Sequence, residues 1–177
     1  MNNCYFITGQ SPNFLDADII TVSAMDAIPF SHALVEAKVC TLKTNGNAFV
    51  NFGAGVLPGT FYYLKINHKN HVETWSATAL DLSVTPNYSF ISAQSQAYAS
   101  NQAITFDALF AAMFCGDIDQ DGAIDGSDFI VFDGPNQAGA GGYQLSDLNG
   151  DGAVDGSDFL IYDPNNQNGV GVSVPTP

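Results

Sequence analysis

The sequence predicts a mostly β protein, in which a β-sandwich precedes a small module of two acidic loops with short helices. Two observations lead to this prediction. Residues 17–92 contain short runs of β-branched and aromatic residues separated by Gly, Pro, Asn and Asp, which is the pattern of a small sandwich. Residues 117–166 contain two copies of one acidic motif, 30 residues apart. At 177 residues the chain suits one large domain or two small ones.

Seven segments are predicted strands of the sandwich domain, residues 15–105. Thr44-Asn45-Gly46 and Asn67–Asn70 are predicted hairpin turns, because Asn and Gly tolerate positive φ. The first 14 residues are predicted to form an N-terminal arm in which Cys4–Thr8 is a short strand. The predicted strands are Ile19–Met25, Ala33–Leu42, Ala48–Phe52, Thr60–Asn67, Val72–Ala77, Leu80–Val84 and Tyr88–Ile91.

Residues 106–177 are predicted to hold a connector helix, the acidic module and a strand-like tail. Apolar residues recur at helical spacing between Ser100 and Cys115, although another core strand or a packed connector stays open as the alternative. The tail Val170–Pro175 alternates apolar and small residues, as a strand does. Each terminal strand either pairs within its own domain or completes the sheet of a neighbour. The apolar positions of the connector are Phe106, Leu109, Phe110 and Met113.

The charge of the chain is strongly acidic and unevenly distributed. There are 18 acidic residues, four lysines and no arginine, which gives a formal net charge of −14. Eleven of the acidic residues lie at or beyond Asp117, and no lysine follows Lys69. This charge argues against nucleic acid and anionic membranes as partners, since both would repel it, and it favours cations. The lack of arginine also argues against nucleotide chemistry.

Cysteine usage and the N-terminus leave the cellular compartment open. Cys4, Cys40 and Cys115 allow either one disulfide and a free thiol or three free thiols, and none has the spacing of a zinc or redox motif. The first residues lack the basic start and apolar run of a signal peptide. Either the chain is cytosolic, or it is the mature or truncated form of an exported protein. The acidic loops favour the second explanation.

The strongest signal is the repeated aspartate-rich loop. A 12-residue calcium loop supplies oxygen ligands from positions 1, 3, 5, 7, 9 and 12 and needs glycine at position 6 for a sharp turn. Both copies meet this pattern, with Gly122 and Gly152 at position 6. The predicted ligands of loop one are Asp117, Asp119, Asp121, the Ala123 carbonyl, Asp125 and Asp128. Those of loop two are Asp147, Asn149, Asp151, the Ala153 carbonyl, Asp155 and Asp158.

Two calcium ions are therefore the predicted cofactors. Loop one would hold five carboxylates within a few ångströms, and each close pair repels by about 1–4 kcal/mol unless a cation intervenes. Flexible cages of protein oxygens suit Ca²⁺ better than Mg²⁺, which keeps its waters. Ile124 and Val154 at position 8 are predicted to point inward and to pair across the two loops. At position 9, Asp125 and Asp155 are predicted to cap the following helices.

Residues 116–166 resemble type I dockerins, in which a loop and a helix are duplicated and position 12 is Asp. The resemblance implies two structural calcium ions and two short helices. Gly134-Pro135 and Pro164 are predicted to end these helices after little more than a turn or two. Cellulosomal dockerins meet cohesin through a Ser/Thr pair at positions 10 and 11 and a later Lys-Arg. Here those positions are Gly-Ser in both loops and no basic residue follows, so the resemblance does not imply cohesin as a partner.

Two further resemblances concern the N-terminal part. Leu57–Ile66 resembles a strand of transthyretin-like and carboxypeptidase-regulatory-like sandwiches, which implies an Ig-like or transthyretin-like fold for residues 15–105. Tyr63–Tyr98 is similar to the C-terminal region of large surface proteins of Bacteroidota-type bacteria, where such a segment precedes a dockerin-like repeat. This similarity implies a location at the bacterial surface.

Other candidate sites carry weaker signals. His68 and His71 are interpreted as part of a polar turn rather than as a metal pair. Glu36, Glu73 and Asp81 lie on predicted strands, where surface alternation explains them better than a carboxylate pair for glycoside hydrolysis. Trp75 with Tyr62 and Tyr63 is the candidate sugar-stacking platform, although sandwich cores commonly contain such residues.

We therefore expect a non-enzymatic, calcium-stabilised structural protein, a surface or fibre subunit that assembles head to tail with copies of itself. The alternative is a non-catalytic module of a larger surface protein that docks a protein or a glycan. A third hypothesis, a small hydrolase, would need a cleft with paired carboxylates outside the calcium loops. An extracellular or cell-surface location is expected because cytosolic free calcium is scarce, whereas extracellular modules bind it at about 0.1–1 mM.

Overall fold

The protein is mostly β, with antiparallel sheets, as the sequence predicts. The structure, a computed structural model, describes residues 4–29, 31–84, 86–105 and 107–176. Two short 3₁₀ turns, Gln94–Gln96 and Tyr98–Ser100, lie between the larger and the smaller sheet. The elements are α1 (Cys4–Ile7), β1 (Asp16–Asp26), β2 (Leu34–Lys43), β3 (Phe61–His68), β4 (His71–Trp75), β5 (Leu80–Asp81), β6 (Ala103–Ile104), β7 (Ala111–Ala112), α2 (Gly126–Gln137) and α3 (Gly156–Gln167).

One five-stranded antiparallel sheet forms the N-terminal part. Its strands lie in the order β2-β1-β3-β4, and β5 also pairs with β3. Strand β1 is central because it pairs with β2 along most of its length and with β3 from Thr21 onward. Ile20, Val22 and Ala24 of β1 are buried at alternate positions, so one face of the sheet is the core face.

The core face is covered by a layer that differs from the predicted one. The predicted strands Ala48–Phe52 and Tyr88–Ile91 are not strands in the structure, and Leu80–Val84 is a strand only at Leu80–Asp81. Ala48, Val50 and Phe52 nevertheless pack at alternate positions on the core. The alternation thus marks which side chains point inward, but it does not supply a partner strand for the backbone.

The predicted turn Asn67–Asn70 is confirmed. Strands β3 and β4 form a hairpin in which His68 lies opposite His71. The turn at Thr44-Asn45-Gly46 is also present, with Gly46 at φ +82° and the Lys43 amide bonded to the Asn47 carbonyl. It leads into the unpaired covering layer rather than into a second strand.

The prediction of a strand at Cys4–Thr8 is wrong. Residues 4–7 form the single helical turn α1, because both the amide and the hydroxyl of Thr8 donate to the Cys4 carbonyl. Gly9, at φ +76°, follows immediately and ends the helix. The N-terminal arm therefore offers no strand for exchange within its described residues.

The predicted connector helix is also wrong, because the segment forms the hairpin β6–β7. Thr105 and Asp107 close the turn: the Asp107 carboxylate accepts from the Thr105 hydroxyl and the Leu109 amide, and the Thr105 hydroxyl also binds the Phe110 main chain. Such local side-chain bonds compete with helical ones. Leu109 is 67% exposed, so the apolar stripe is not a buried helix face. Phe106 lies outside the described residues.

Helices α2 and α3 are longer than the sequence predicts. Each has 12 residues, and Pro135 and Pro164 lie inside them instead of ending them. A proline removes one helical hydrogen bond, but each helix also buries a large aromatic residue, Phe132 or Tyr162, completely. This burial, worth about 1.5–3 kcal/mol for a large apolar side chain, offsets the proline penalty of about 3 kcal/mol in large part.

The two halves of the chain share a core and a hydrogen-bonded junction. Val72 of β4 belongs to the same buried cluster as Ile118, Ile124 and the two helical aromatics. Asn70, which is 1% exposed, donates through Nδ2 to the Leu145 carbonyl at 2.9 Å and to the Asp147 carbonyl at 3.1 Å. The β3–β4 turn thereby fixes the start of loop two against the sheet.

Two chemical properties of the fold complete its description. The three cysteines, Cys4, Cys40 and Cys115, are all free thiols in the structure. Within the residues described above, no helix combines the length and the apolar character needed to cross a membrane.

We predict that Asn70→Ala will loosen this junction. Removing the side-chain amide leaves the Leu145 carbonyl and the buried Asp147 carbonyl without this donor, which should lower the free energy of unfolding by about 1–3 kcal/mol. Urea unfolding would measure the loss, with Asn51→Ala at an exposed position of the covering layer as the control. An unchanged midpoint for Asn70→Ala would show that the junction does not stabilise the fold.

Candidate metal centre

Loop one brings three carboxylates together. Oxygens of Asp117, Asp119 and Asp128 lie within 4.8 Å of one another, at positions 1, 3 and 12 of the loop. Asp117 and Asp128 are buried, whereas Asp119 is exposed. Carboxylates at this spacing repel strongly unless a cation or a proton lies between them. The arrangement matches the hard oxygen ligands that calcium and magnesium require.

The backbone of loop one is bent so that the first carboxylate faces the last. Gln120 at φ +62° and Gly122 at φ +94° form the turn. A Cβ at Gly122 would lie 3.3 Å from Val172 of the tail, so glycine serves the tail contact as well as the turn. Gln120 also donates through Nε2 to the Asp117 carbonyl at 2.6 Å, which holds the two ends of the turn together.

Asp128 at position 12 is held by three main-chain amides. One oxygen accepts from Ile118 and Asp119, at 2.6 and 3.1 Å, and the other accepts from Asp125 at 2.9 Å. Asp158 makes the same three contacts in loop two, with Leu148, Asn149 and Asp155. The repeat therefore preserves three-dimensional structure as well as sequence.

The predicted capping role of position 9 is confirmed in both loops. Asp125 and Asp155 each accept from a serine amide at the start of the helix, and the position-12 Asp binds back to their amides in a capping box. These bonds aim both side chains at the helix instead of the carboxylate cluster. Of the predicted carboxylate ligands of loop one, Asp121 and Asp125 are not part of the cluster.

At position 3, loop two has the side-chain amide of Asn149 where loop one has the carboxylate of Asp119. Asp147 accepts from the amides of Gly150 and Gly152, at 2.8 and 3.0 Å, and Asn149 donates to Asp151 at 2.9 Å. In each loop the residue at position 5 accepts from the amide at position 7, which is Ala123 or Ala153. These hydrogen bonds fix the main chain at Ala123 and at Ala153. Loop two is therefore less crowded with charge than loop one.

The electrostatics single out Asp117. Burial, followed by repulsion from Asp128, Asp121 and Asp119, raises its pKa to about 6. Burial also raises the pKa of Asp128 and of Asp147. The Oδ1 atom of Asp117 is buried and has no hydrogen-bond partner among the described residues. A buried carboxylate oxygen without a donor is costly, and a cation at this position would compensate for it.

Each loop is closed by the segment that follows the helix of the other unit. Ile124 of loop one donates from its amide to the Val170 carbonyl, and the Val172 amide donates to Gly122, both at 2.8 Å. In loop two the Val154 amide donates to Ala140 at 2.8 Å. We call these two sets of main-chain bonds, one at each loop, the reciprocal clasps. Ile124 and Val154 are buried together as predicted, but their backbones pair with the clasps rather than with each other.

Several residues near the loops were not found from the sequence. The Cys4 thiol donates to Asp147 Oδ2 at 3.6 Å, and burial raises its pKa to about 11, which keeps it protonated. The Tyr162 hydroxyl donates to the Asp125 carbonyl at 2.5 Å. Asn70 contacts the start of loop two, as described above. These contacts join residues far apart in the sequence, and no local motif marks them.

The weaker candidate sites have structural partners. His68 and His71 contact each other through Nδ1 at 2.7 Å, and His68 also binds Asp18. Glu73 pairs with Lys65, and Glu36 with Lys38. Trp75 and Tyr62 are 4% and 3% exposed, so neither presents its ring to a sugar.

Comparison with protein-family models, with curated proteins and with solved structures finds no match for this chain.

We predict that calcium-free protein becomes less stable relative to Asp117→Asn as pH rises. In the folded state the pKa of Asp117 is about 6, whereas the ordinary pKa of an aspartate is 3.8. The folded state therefore binds more protons within this window, and the contribution of Asp117 to the free energy of unfolding falls from pH 4 to pH 6.

Urea unfolding of wild type and Asp117→Asn across this range, in calcium-free buffer, measures the effect as a difference. The stability of the variant relative to wild type should increase between pH 4 and 6 and then level off. A difference that does not vary with pH would contradict the strained Asp117 carboxylate.

Proposed function

We propose that this protein is a non-enzymatic structural protein stabilised by two calcium ions, one in each acidic loop. The observation that carries the proposal is the buried Asp117 oxygen, which lacks a donor within a cluster of three carboxylates. The same loop recurs 30 residues later with the same position-12 and capping contacts. One such loop is a local acidic turn, whereas two in register favour a metal-binding module.

The donor set favours calcium over other cations. The ligands available in the loops are carboxylate, amide and main-chain oxygens, and no histidine or cysteine lies at a predicted ligand position. Hard divalent ions prefer such oxygens, and calcium accepts six to eight of them in flexible geometry. In loop one Asp117, Asp119 and Asp128 would hold the ion. In loop two Asp147, Asn149 and Asp158 are the equivalent residues.

Calcium in these loops would stabilise the whole chain. Both clasps, the buried cluster around Ile124 and Val154, and the Asn70 junction converge on the loops. An ion that binds only the folded loops stabilises everything that depends on their shape. At a calcium concentration 100-fold above the dissociation constant, each ion contributes about 2.7 kcal/mol.

The resemblance of residues 116–166 to type I dockerins is part of this proposal. Support comes from the capping boxes, the duplicated loop-then-helix units and the absence of a helix in residues 138–146, which precede loop two. The sandwich interpretation of residues 15–105 is supported by the two-layer arrangement, in which the covering layer packs on the core face of the sheet.

We place the protein outside the cell, as a bacterial surface or fibre subunit. Weak calcium loops fill at extracellular concentrations of about 0.1–1 mM, and the similarity of Tyr63–Tyr98 to surface proteins points the same way. The tail is the terminal segment suited to exchange between copies. Its contacts with Gly122 and Ile124 are main-chain bonds that the tail of a neighbouring copy would make equally well.

The alternative function is a non-catalytic module that docks a protein or a glycan. A cleft of about 210 Å³ beside loop one favours it. Its polar lining would bind hydroxyl groups, and an ion in loop one would lie next to it. The lining residues are Asn67, Glu73, Asp117, Gln120, Asp121, Gly122 and Val172. Binding on a glycan array that disappears with chelator would favour this alternative.

We predict that the chain binds two calcium ions and that Asp117→Asn and Asp147→Asn each bind one. Each variant removes the position-1 carboxylate of one loop. Isothermal titration at pH 7 would give the stoichiometry, and thermal unfolding with calcium and with EGTA would give the stabilisation. Asp133→Asn makes the same charge change outside the loops, on helix α2, and should still bind two ions.

We also predict that self-assembly depends on calcium. Wild type should form large particles or fibres in millimolar calcium and dissociate in EGTA, because the tail contact rests on loop one. Size-exclusion chromatography with light scattering, followed by electron microscopy, would detect both states. A stable monomer under both conditions would contradict the fibre subunit while leaving calcium binding intact.

A further inference from the structure

The two edges of the main sheet differ in how they are covered. The edge of β4 is paired: the Val72 amide donates to Phe114, and bridges join His71 to Cys115 and Ser76 to Ala97. On β2, no residue from Val35 to Leu42 makes a backbone hydrogen bond outside the sheet to any described part of the chain. An edge strand of this length presents a row of free donors and acceptors to a further strand.

The side chains of β2 show what kind of strand would fit. Glu36 and Lys38 lie on the core face, opposite Ala24 and Val22 of β1, and form an ion pair at 2.8 Å. Lysine on an edge strand normally discourages pairing, but here Glu36 neutralises it. On the other face, Ala37 is exposed and Val39 is 70% exposed. The strand is thus uncharged overall at its centre and partly apolar. The covering segment approaches it only at Val35 and Glu36, where Gly55 lies beside the Val35 carbonyl.

We propose that β2 pairs antiparallel with β2 of a second copy of this chain, with the two-fold axis at Ala37. In this register Ala37 faces Ala37 of the second copy. Glu36 of each copy faces Lys38 of the other, which gives two pairs of opposite charge. A shift of one pleat in either direction places Glu36 opposite Glu36 or Lys38 opposite Lys38, which is repulsive. A shift by one residue joins the core face to the outer face and is excluded.

This pairing joins the sheets of two copies into one continuous sheet. It is isologous and closed, because each copy uses the same edge on the other. It therefore gives a dimer, and a fibre needs a second contact such as the tail. The inference does not rest on the proposed function, since β2 lies in the sheet and contains no predicted calcium ligand. Calcium binding and dimerisation can fail separately.

Charge reversal tests the register with a built-in rescue. Lys38→Glu and Glu36→Lys each replace two attractive pairs by two repulsive ones, so the dimer dissociation constant should rise by at least about tenfold. The double variant Glu36→Lys/Lys38→Glu restores opposite charges across the two-fold and should restore dimerisation. Sedimentation velocity over a concentration series, in EGTA so that the calcium-dependent fibres proposed above do not form, would measure all four proteins.

The control for folding comes from the same set. Glu36 also accepts the Gly53 amide at 2.9 Å, so Glu36→Lys must be checked by thermal unfolding, whereas Lys38→Glu keeps this contact. If wild type remains monomeric at hundreds of micromolar, the proposal is overturned. This is also the result expected if the β2 edge binds only a different protein. A folded Lys38→Glu variant that dimerises as tightly as wild type would also overturn the proposal.

Crosslinking locates the two-fold axis directly. In an antiparallel pair, facing Cα atoms are about 4.5–5.5 Å apart, within the range of a disulfide. In a Cys40→Ala background, Ala37→Cys should give a covalent dimer on mild oxidation. Val39→Cys should not, because its copies are about 13 Å apart in this register. Crosslinking through Val39→Cys alone, or through neither variant, would overturn the proposed pairing.

Discussion

The oxygens of Asp117, Asp119 and Asp128 converge within 4.8 Å, and the C-terminal half of the chain is organised around this concentration of negative charge. Backbone amides satisfy Asp128, and helix capping uses Asp125, but Asp117 keeps one buried oxygen without a donor. Several amides of the loop are already engaged by Asp119, Asp121 and Asp128, so they do not neutralise this repulsion. A divalent cation would relieve it, and the three carboxylates lie close enough together to hold one.

The position of the loops explains how such an ion would affect the whole molecule. Each loop is closed by the clasp of the other unit, so neither unit is complete alone. The shared cluster extends to Val72 of the sheet, and Asn70 ties the sheet to the start of loop two. Loss of either ion would therefore weaken both units and their junction. This coupling supports the proposed structural role for calcium, since both loops contact the junction between the two halves of the chain.

The sequence predicted the parts of the structure that depend on short-range chemistry. The loop turns, the capping aspartates and the β3–β4 hairpin follow from glycine, Asx and hydrogen-bonding preferences over a few residues. Most of the failures have non-local causes, whereas the connector failed on a local turn that its apolar spacing does not reveal. Alternation at Ala48–Phe52 correctly marked inward side chains, but strand formation needs a partner backbone. The connector was misjudged because Thr105 and Asp107 close a turn, and the helices continue past Pro135 and Pro164 because buried aromatics support them.

The clasps, the Cys4 contact and the Asn70 junction join residues more than 40 positions apart or in different units, and no local pattern identifies them. The most direct test of the account is a crystal structure of the full chain grown with calcium, with anomalous scattering measured to locate bound ions. The account requires two anomalous peaks, one beside Asp117 and Asp128 and one beside Asp147 and Asp158. Ordered loops without a peak at either position would contradict it.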